Sequence, residues 1–512
     1  VSPVRADTTE VVTTKFRYDI SPPQKTARLF PGLNVAYLPS NVSMSFGATS
    51  ETRSSFDKDA GRQIKNVTLK PATMQFDIGY RPVSALAGNF ALTSNRDLLR
   101  KRMLDFLGGI NIGTEVNRQG SVRANFSPRV FWWLGSPSFN YTGGYQENHN
   151  PSLTNEQDRE AGESRRNVNN SSNYRTALNI PWGRYMGLVY TGGDSLSAAN
   201  PGDWGKALFE ALGQFSQITL SHTVTDRSAY SGVYGVPDLS YKLGFSRDLG
   251  KEATTAPSAS KSVSTVNKSE ARTDGAIFKD YRLSVSYSRT DRDQETTSGA
   301  TYDRSISWPD IKIDISALES KLRLKKYMTR LSAQSAYSGS SSKNVTQGGK
   351  QKTLAESKNW RPLISLNAVW QGGLSTNFSA NRKWEERGTL NANVGTSRII
   401  TSESYSFNLQ KTIRGGEGVV LPFGGGRKTQ KTINISVNVT YNRSKSERDP
   451  GGGRPVSVDA DTDKFRAVSR ATYNFSSNMV GTLELTFDQS RNKKAGRTIR
   501  GIGVNASTRL RF

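Results

Sequence analysis

The closing stretch of the chain alternates without a break. Ile502, Val504, Ala506, Thr508, Leu510 and Phe512 hold one parity, and Gly503, Asn505, Ser507, Arg509 and Arg511 hold the other. Period-two alternation marks a β-strand with one apolar and one polar face. A tilted strand crosses a bilayer in ~9–11 residues, and this stretch is long enough. An arginine turned towards lipid near the midplane would cost ~2–4 kcal/mol. The faces are thereby assigned: Asn505, Arg509 and Arg511 point to a wet interior. The competing reading is an edge strand of a soluble sheet, but an open apolar edge at a terminus invites aggregation.

The rest of the chain carries the same texture from about residue 33 onward. Val42-Ser43-Met44-Ser45-Phe46 alternates, as do Met74 to Tyr80 and the return strand Leu86 to Leu92. No apolar run approaches the ~18 residues of a membrane helix. Only 34% of residues are hydrophobic, which suits strands that are apolar on one side alone. The expected fold class is all-β: a large antiparallel transmembrane β-barrel, or the carboxyl-terminal part of one, of about 20 strands, with short helices between some of them. The parity of that strand count does not close around residues 384–430. Residues 1–32 read as a connector from a preceding region, with one short alternating piece, Phe16 to Ile20, before Pro22-Pro23. Residues 33–512 read as the barrel portion. The chain opens at Val1 without a basic or apolar leader, so it is expected to be the last part of a longer protein.

Two stretches break the alternation. Leu98, Leu99, Met103, Leu104, Phe106 and Leu107 have helical spacing, and so does Trp204 to Leu212. A short amphipathic helix between strands would lie at a membrane surface, plug an opening, or pack on the sheet as a turn helix. Pro137 to Tyr145 resembles Pro237 to Phe245, with a weaker echo at Pro309 to Ile315. Proline suits the first residue of a strand, and the echo predicts a duplicated hairpin unit. Polar segments at 50–70, 148–173, 251–275, 338–358 and 444–463 are too hydrophilic to bury a core and read as long loops. Gln371-Gly372-Gly373 and Ser476-Ser477-Asn478 read as tight turns. Long loops on one side and short turns on the other is barrel asymmetry. Trp residues at 132, 133, 182, 204, 308, 360, 370 and 384 are expected near strand ends, as an interfacial girdle.

The net charge is +26. Nucleic acid is excluded as a partner, because the cations are spread over strand faces and loops with no basic helix or aromatic-and-basic module. A positive lumen or contact with anionic headgroups fits better. The chain has no Cys, so it has no disulfide framework and no thiolate zinc site. Neither His149 nor His222 has a second ligand at metal spacing. Gly424 to Thr429 lacks the phosphate-loop frame, and Ser258-Ala259-Ser260-Lys261 sits in low-complexity sequence. No catalytic residue, cofactor or metal is expected, and the chain is read as a non-enzyme.

A chain that ends on an aromatic residue behind alternating apolar residues resembles the signal by which bacterial outer-membrane barrels are recognised for insertion. That resemblance assigns the signal to Gly503, Ala506, Thr508, Leu510 and Phe512. Tyr37-Leu38-Pro39-Ser40-Asn41-Val42-Ser43, Ser307-Trp308-Pro309-Asp310-Ile311, Arg361 to Leu366, Val420-Leu421-Pro422-Phe423, the stretch from Trp204 to Ser221 and the closing strand pair from Ala471 to Phe512 resemble, in order, the carboxyl-terminal part of the SprA (Sov) family. These are outer-membrane translocons of type 9 secretion, linked to gliding motility in some bacteria. The resemblance implies a bacterial outer-membrane location, secreted protein passengers, outer-membrane lipid around the wall, a PorV-like shuttle barrel and a periplasmic plug protein. The alternatives are a barrel for lipopolysaccharide assembly or nutrient uptake, an outer-membrane hydrolase using His222, and a soluble adhesin.

Overall fold

The computed structural model describes residues 5–30, 33–57, 62–99, 103–104, 110–128, 135–149, 165–183, 215–256, 259–278, 280–346, 351–391, 394–413, 432–451, 454–474 and 479–510. The protein is all-β, and 21 of its strands belong to one antiparallel sheet. The chain divides into two compact units. One comprises Val1–Asn179, Ser221–Lys268 and Arg292–Thr301, and the other the remainder.

In the first unit, β1 (Arg5–Ile20) precedes a small hairpin of β2 (Thr26–Phe30) and β3 (Leu33–Ala36). Then come β4 (Asn41–Asp57), β5 (Arg62–Leu69), β6 (Pro71–Val83) and β7 (Leu86–Asp97). Strand β1 pairs with β4 over its whole length, within the stretch expected to be a connector. Strand β4 also pairs with β5 and β6, and β6 with β7. A two-residue ladder joins β8 (Met103–Leu104) to β9 (Ile110–Asn111). Strand β10 (Thr114–Phe126) pairs with β7 and with β11 (Ser136–Asn148), which pairs with β12 (Arg166–Ile180). Beyond them lie β13 (Phe215–Tyr234), the four-residue helix α1 (Leu239–Lys242), β14 (Thr254–Thr255), β15 (Lys261–Phe278), β16 (Tyr281–Thr296) and β17 (Gly299–Ile315). Strands β12, β13, β15, β16 and β17 contribute residues to both units.

The second unit carries α2 (Leu318–Lys321), then β18 (Met328–Thr346), β19 (Gln351–Trp370), β20 (Leu374–Asn391) and β21 (Val394–Ile413). After these come β22 (Ile433–Asp449), β23 (Ser457–Asn474), β24 (Met479–Asn492) and β25 (Arg497–Leu510). From β18 to β25 each strand pairs with the next in chain order. The stretch at 384–430, where the strand count would not close, holds the end of β20 and the whole of β21. Helix α2 is locked by Glu319, which accepts a hydrogen bond from the Leu331 backbone N–H at 2.7 Å. That bond holds the Glu319 carboxyl below the usual carboxylate range.

Strand lengths depart from the expected pattern. Segments 50–70, 251–275, 338–358 and 444–463 are largely strand: β4 runs to Asp57, β15 starts at Lys261, β18 and β19 reach Thr346 and Gln351, and β22 and β23 reach Asp449 and Ser457. In segment 148–173, β12 starts at Arg166, and 150–164 lie outside the described residues. Ladder hydrogen bonds continue where neither face is apolar, so hydrophilicity alone mistook strand extensions for loops. Met103 and Leu104 are in a strand, correcting the helix expected around them, because they find a partner in Ile110–Asn111. The expected helix at Trp204–Leu212, the motif at Val420–Phe423, the turn at Gly424–Thr429 and Ser476–Asn478 lie outside the described residues, as do Trp132, Trp133 and Ser258. Gln371–Gly373 is a turn, with Gly372 at φ 82° and Gly373 at φ 79°.

The second correction concerns Pro237–Phe245, expected to repeat the strand at Pro137. It folds instead into α1 and a loop. The Asp238 N–H donates to the Leu249 carbonyl at 2.9 Å, and Gly244 turns the chain at φ 82°. Tyr241 is fully buried, in a cluster with Tyr145, Val168, Tyr230, Val233, Leu249 and Val263. Tertiary seating of that ring overrides the local alternation of Leu239, Tyr241 and Leu243. Gly143 faces this loop, and a Cβ there would collide with the Leu243 carbonyl oxygen. Gly143→Ala should therefore cost about 1–3 kcal/mol. Gly501→Ala, with nothing within 4 Å of its added Cβ, should stay within about 1 kcal/mol. Urea unfolding midpoints of the two variants check this.

Candidate functional site

Register converts each strand's alternation into a shared face, because cross-strand partners in an antiparallel pair point the same way. In the second unit, one row runs Phe378, Phe407, Val439, Ala467, Phe487, Ile502 across β20 to β25. The parallel row below it holds Thr376, Leu409, Val437, Ser469, Leu485 and Val504. Several of these side chains are uncovered, with Phe407 37% exposed, Leu485 48% and Val504 68%, while Phe378, Val439 and Phe487 are half-buried among their neighbours. The first unit has a matching face. Tyr18, Met44, Phe76, Leu92 and Gly120 form one row, and Ile20, Val42, Ile78, Phe90 and Val122 the next.

The apolar band has a sharp upper limit. On β22 it runs from Ile433 to Tyr441, about 26 Å along the strand at ~3.3 Å per residue. The next residue of that parity is Arg443. It belongs to a row of alternating sign, Arg382, Glu403, Arg443 and Asp463, across β20 to β23. Arg382 lies 3.7 Å from Glu403, Arg443 lies 3.7 Å from Asp461 and 3.8 Å from Asp463, and Lys493 reaches Asp463 at 2.8 Å. An aromatic row marks the limit: Tyr405, Tyr441 and Phe465 are cross-strand partners, with the two tyrosine rings 6.1 Å apart. Trp360 is the cross-strand partner of Arg382 and packs 4.5 Å from Tyr337, and Trp384 lies one row further along its face, both inside their strands. Trp370 ends β19, as expected of a girdle at strand ends, whereas Trp308, Trp360 and Trp384 lie in mid-strand, because the strands continue beyond the band.

The opposite face is polar. Asn367, Asn377, Asn408 and Asn438 are successive partners across β19 to β22, and the Asn377 amide donates to Asn367. Ser365, Ser379, Ser406 and Thr440 form the row beside them. On β23 this face carries Lys464, Arg466 and Arg470, with Arg466 3.4 Å from Asp488 and Arg470 bonded to Glu484. In the first unit the polar face is concave. It encloses a cavity of about 690 Å³ lined by Thr93, Gln119, Gln146, Asn169, Arg227 and Arg292, among others.

The closing strand follows its predicted parity. Ala506 and Thr508 pair with Leu483 and Gly481 on the apolar face, and Asn505 and Arg509 pair with Glu484 and Val480 on the other. Gly503 pairs with Thr486 and lies on the polar parity, apart from the other insertion-signal residues. Leu510 ends β25, and Arg511 and Phe512 lie outside the described residues. Every residue from Arg497 to Arg509 is exposed.

One charged cluster was not legible in the sequence. Glu147 at the end of β11 is 1% exposed. It accepts from Tyr145 OH at 2.6 Å, and it meets Arg166, His149 at 2.7 Å and Arg118 at 4.0 Å. Pairing of β10, β11 and β12 gathers these groups, and spacing in the chain does not. His222 lies on β13, and no group of His and carboxylates able to hold a metal occurs among the described residues.

Comparison of the sequence with protein-family models and with curated proteins gives no match.

Removing the buried Glu147 carboxylate would take the counter-charge from Arg166, whose side chain is 14% exposed, while Arg118 keeps Glu115 at 2.6 Å. Glu147→Ala should cost about 3–5 kcal/mol. Asp488→Ala, which breaks an exposed pair, should cost no more than about 1 kcal/mol. Chemical unfolding followed by tryptophan fluorescence compares them.

Proposed function

We propose that this chain is wall from a large outer-membrane β-barrel that conducts proteins, with the apolar face against lipid and the polar face lining the passage. The observation that carries the reading is the apolar band of the second unit, which no second layer covers among the described residues, while its other face is hydrophilic. In water the exposed band would be an aggregation surface. In a bilayer it is the surface required, and its length of about 26 Å along a strand tilted by roughly 40° spans about 20 Å of the ~25 Å apolar belt of such barrels. The belt of tyrosines, tryptophans and ion pairs above it matches the polar and interfacial chemistry of headgroups.

The width of the sheet favours a large passenger: 21 strands in one sheet among the described residues is as many as the large outer-membrane barrels carry. The asparagine and serine rows support the same reading. Neutral amides and hydroxyls keep water at the surface, and transit needs contacts that are weak and many. On this reading the protein resides in a bacterial outer membrane and serves secretion of the type 9 kind. A PorV-like barrel and a periplasmic plug are its partners there.

The chain has no Cys, so single-cysteine variants report on one position each. In vesicles of brominated phospholipid, a fluorophore at Phe407→Cys should be quenched by lipid and one at Asn408→Cys by aqueous iodide. Equal iodide quenching at both positions defeats the membrane reading. The transport role is tested separately: loss of the protein from its source bacterium should leave secreted proteins in the periplasm. An unchanged culture supernatant defeats that role.

A further inference from the structure

The apolar face of the first unit has a polar breach. On β12, the parity that should meet lipid holds Asn170 and Ser172, while Asn169 and Ser171 hold the other. On the neighbouring strands that parity brings Gly143 on β11 and Ser228 on β13. A strand polar on both sides cannot face hydrocarbon, where each unsatisfied polar group costs several kcal/mol.

The loop that carries α1 lies over this breach. The Asn170 amide donates to the Tyr241 carbonyl at 2.6 Å and to the Ser246 carbonyl at 2.7 Å. The Ser228 hydroxyl donates to the Tyr241 hydroxyl at 3.2 Å, and the Tyr230 hydroxyl to the Arg247 carbonyl at 3.0 Å. Phe245 stacks on Tyr141 at 5.0 Å, and Tyr241 meets the edge of Tyr145 at 6.0 Å. The inner side of the loop is thus polar backbone matched to a polar wall. Its outer side is different: Leu239 is 68% exposed, Phe245 58% and Val236 47%.

We propose that the loop from Val236 to Gly250 is a lipid-contacting surface in its own right, whose outward residues Val236, Leu239 and Phe245 lie among acyl chains. It takes the place of the strand face beneath it. The occupant is argued from continuity: the loop sits on the same parity as Phe76, Leu92 and Val122 of the adjoining strands, and it restores an apolar exterior where β12 lacks one. This inference rests on the membrane reading of the wall.

The test uses the full chain in vesicles of phospholipid brominated on its acyl chains, with a fluorophore at Leu239→Cys and the label at Phe407→Cys as reference. Leu239 touches little, so its replacement leaves the fold intact. Lipid quenching at Leu239 should reach at least roughly half of that at Phe407, as for a shallowly inserted loop. Iodide quenching at Leu239 with lipid quenching at Phe407 overturns the proposal and leaves the membrane wall standing. Iodide quenching at both positions overturns the wall itself, and the loop proposal with it.

Discussion

A lone layer of sheet poses a physical problem that organises this molecule. Backbone donors and acceptors are satisfied sideways, strand to strand, so the ladder holds without a core. The apolar face is another matter. Soluble proteins cover such a face with a second layer about 10 Å away, a sheet or a row of helices. Here Phe378, Phe407 and Val439 lie side by side, and no second layer covers them among the described residues of their own unit. The compact apolar cluster around Tyr241 is confined to one loop on four strands. Such a face needs a cover, and the membrane reading supplies one in lipid.

The edge of the apolar band shows how the same strand serves two surroundings. On β22 the parity that carries Val437, Val439 and Tyr441 carries Arg443 and Lys445 immediately afterwards. Nothing in the backbone changes at that point, and register with β21 and β23 continues through it. Only the side chains change, from apolar through aromatic to ion pairs of alternating sign. Exposed pairs of this kind contribute about 0.2–1 kcal/mol each across a ladder. They add little to stability, but they make sliding the wall deeper into hydrocarbon costly. On the membrane reading, the row would fix depth more than it fixes fold.

Much of this was legible in the sequence, and the parts that were not share a cause. Parity is a local property, so the two faces of Ile502 to Thr508 or of Met74 to Tyr80 could be read without knowing any partner strand. Strand length could not be read, because Ser338 to Thr346 and Ser444 to Asp449 are hydrophilic on both sides and resemble loop. Rows such as Asn367, Asn377, Asn408 and Asn438 exist only once register is known, since the four residues sit at unrelated intervals along the chain. The Glu147 cluster is of the same kind. At Leu239 to Phe245 the alternation was genuine but misleading: Tyr241 turns into the wall, while Leu239 and Phe245 remain largely uncovered.

The strong basic excess bears on how a polar wall could pass a large surface without holding it. Cations free to bind would retain acidic passengers, since a charge-assisted contact is about twice as strong as a neutral one. On the polar face of β23 and β24, Arg466 is opposite Asp488 and Arg470 is bonded to Glu484, so these charges are engaged within the wall. Across β19 to β22 the rows are amide and hydroxyl, which exchange partners with water at little net cost. Arg227 and Arg292 at the concave face of the first unit lie among Gln119, Gln146, Asn169 and Ser171, where polar neighbours and water dilute their pull. On the transport reading, positive charge arranged in this way would give a long-range field that favours acidic surfaces without deep local wells, a combination suited to passage and poorly suited to storage.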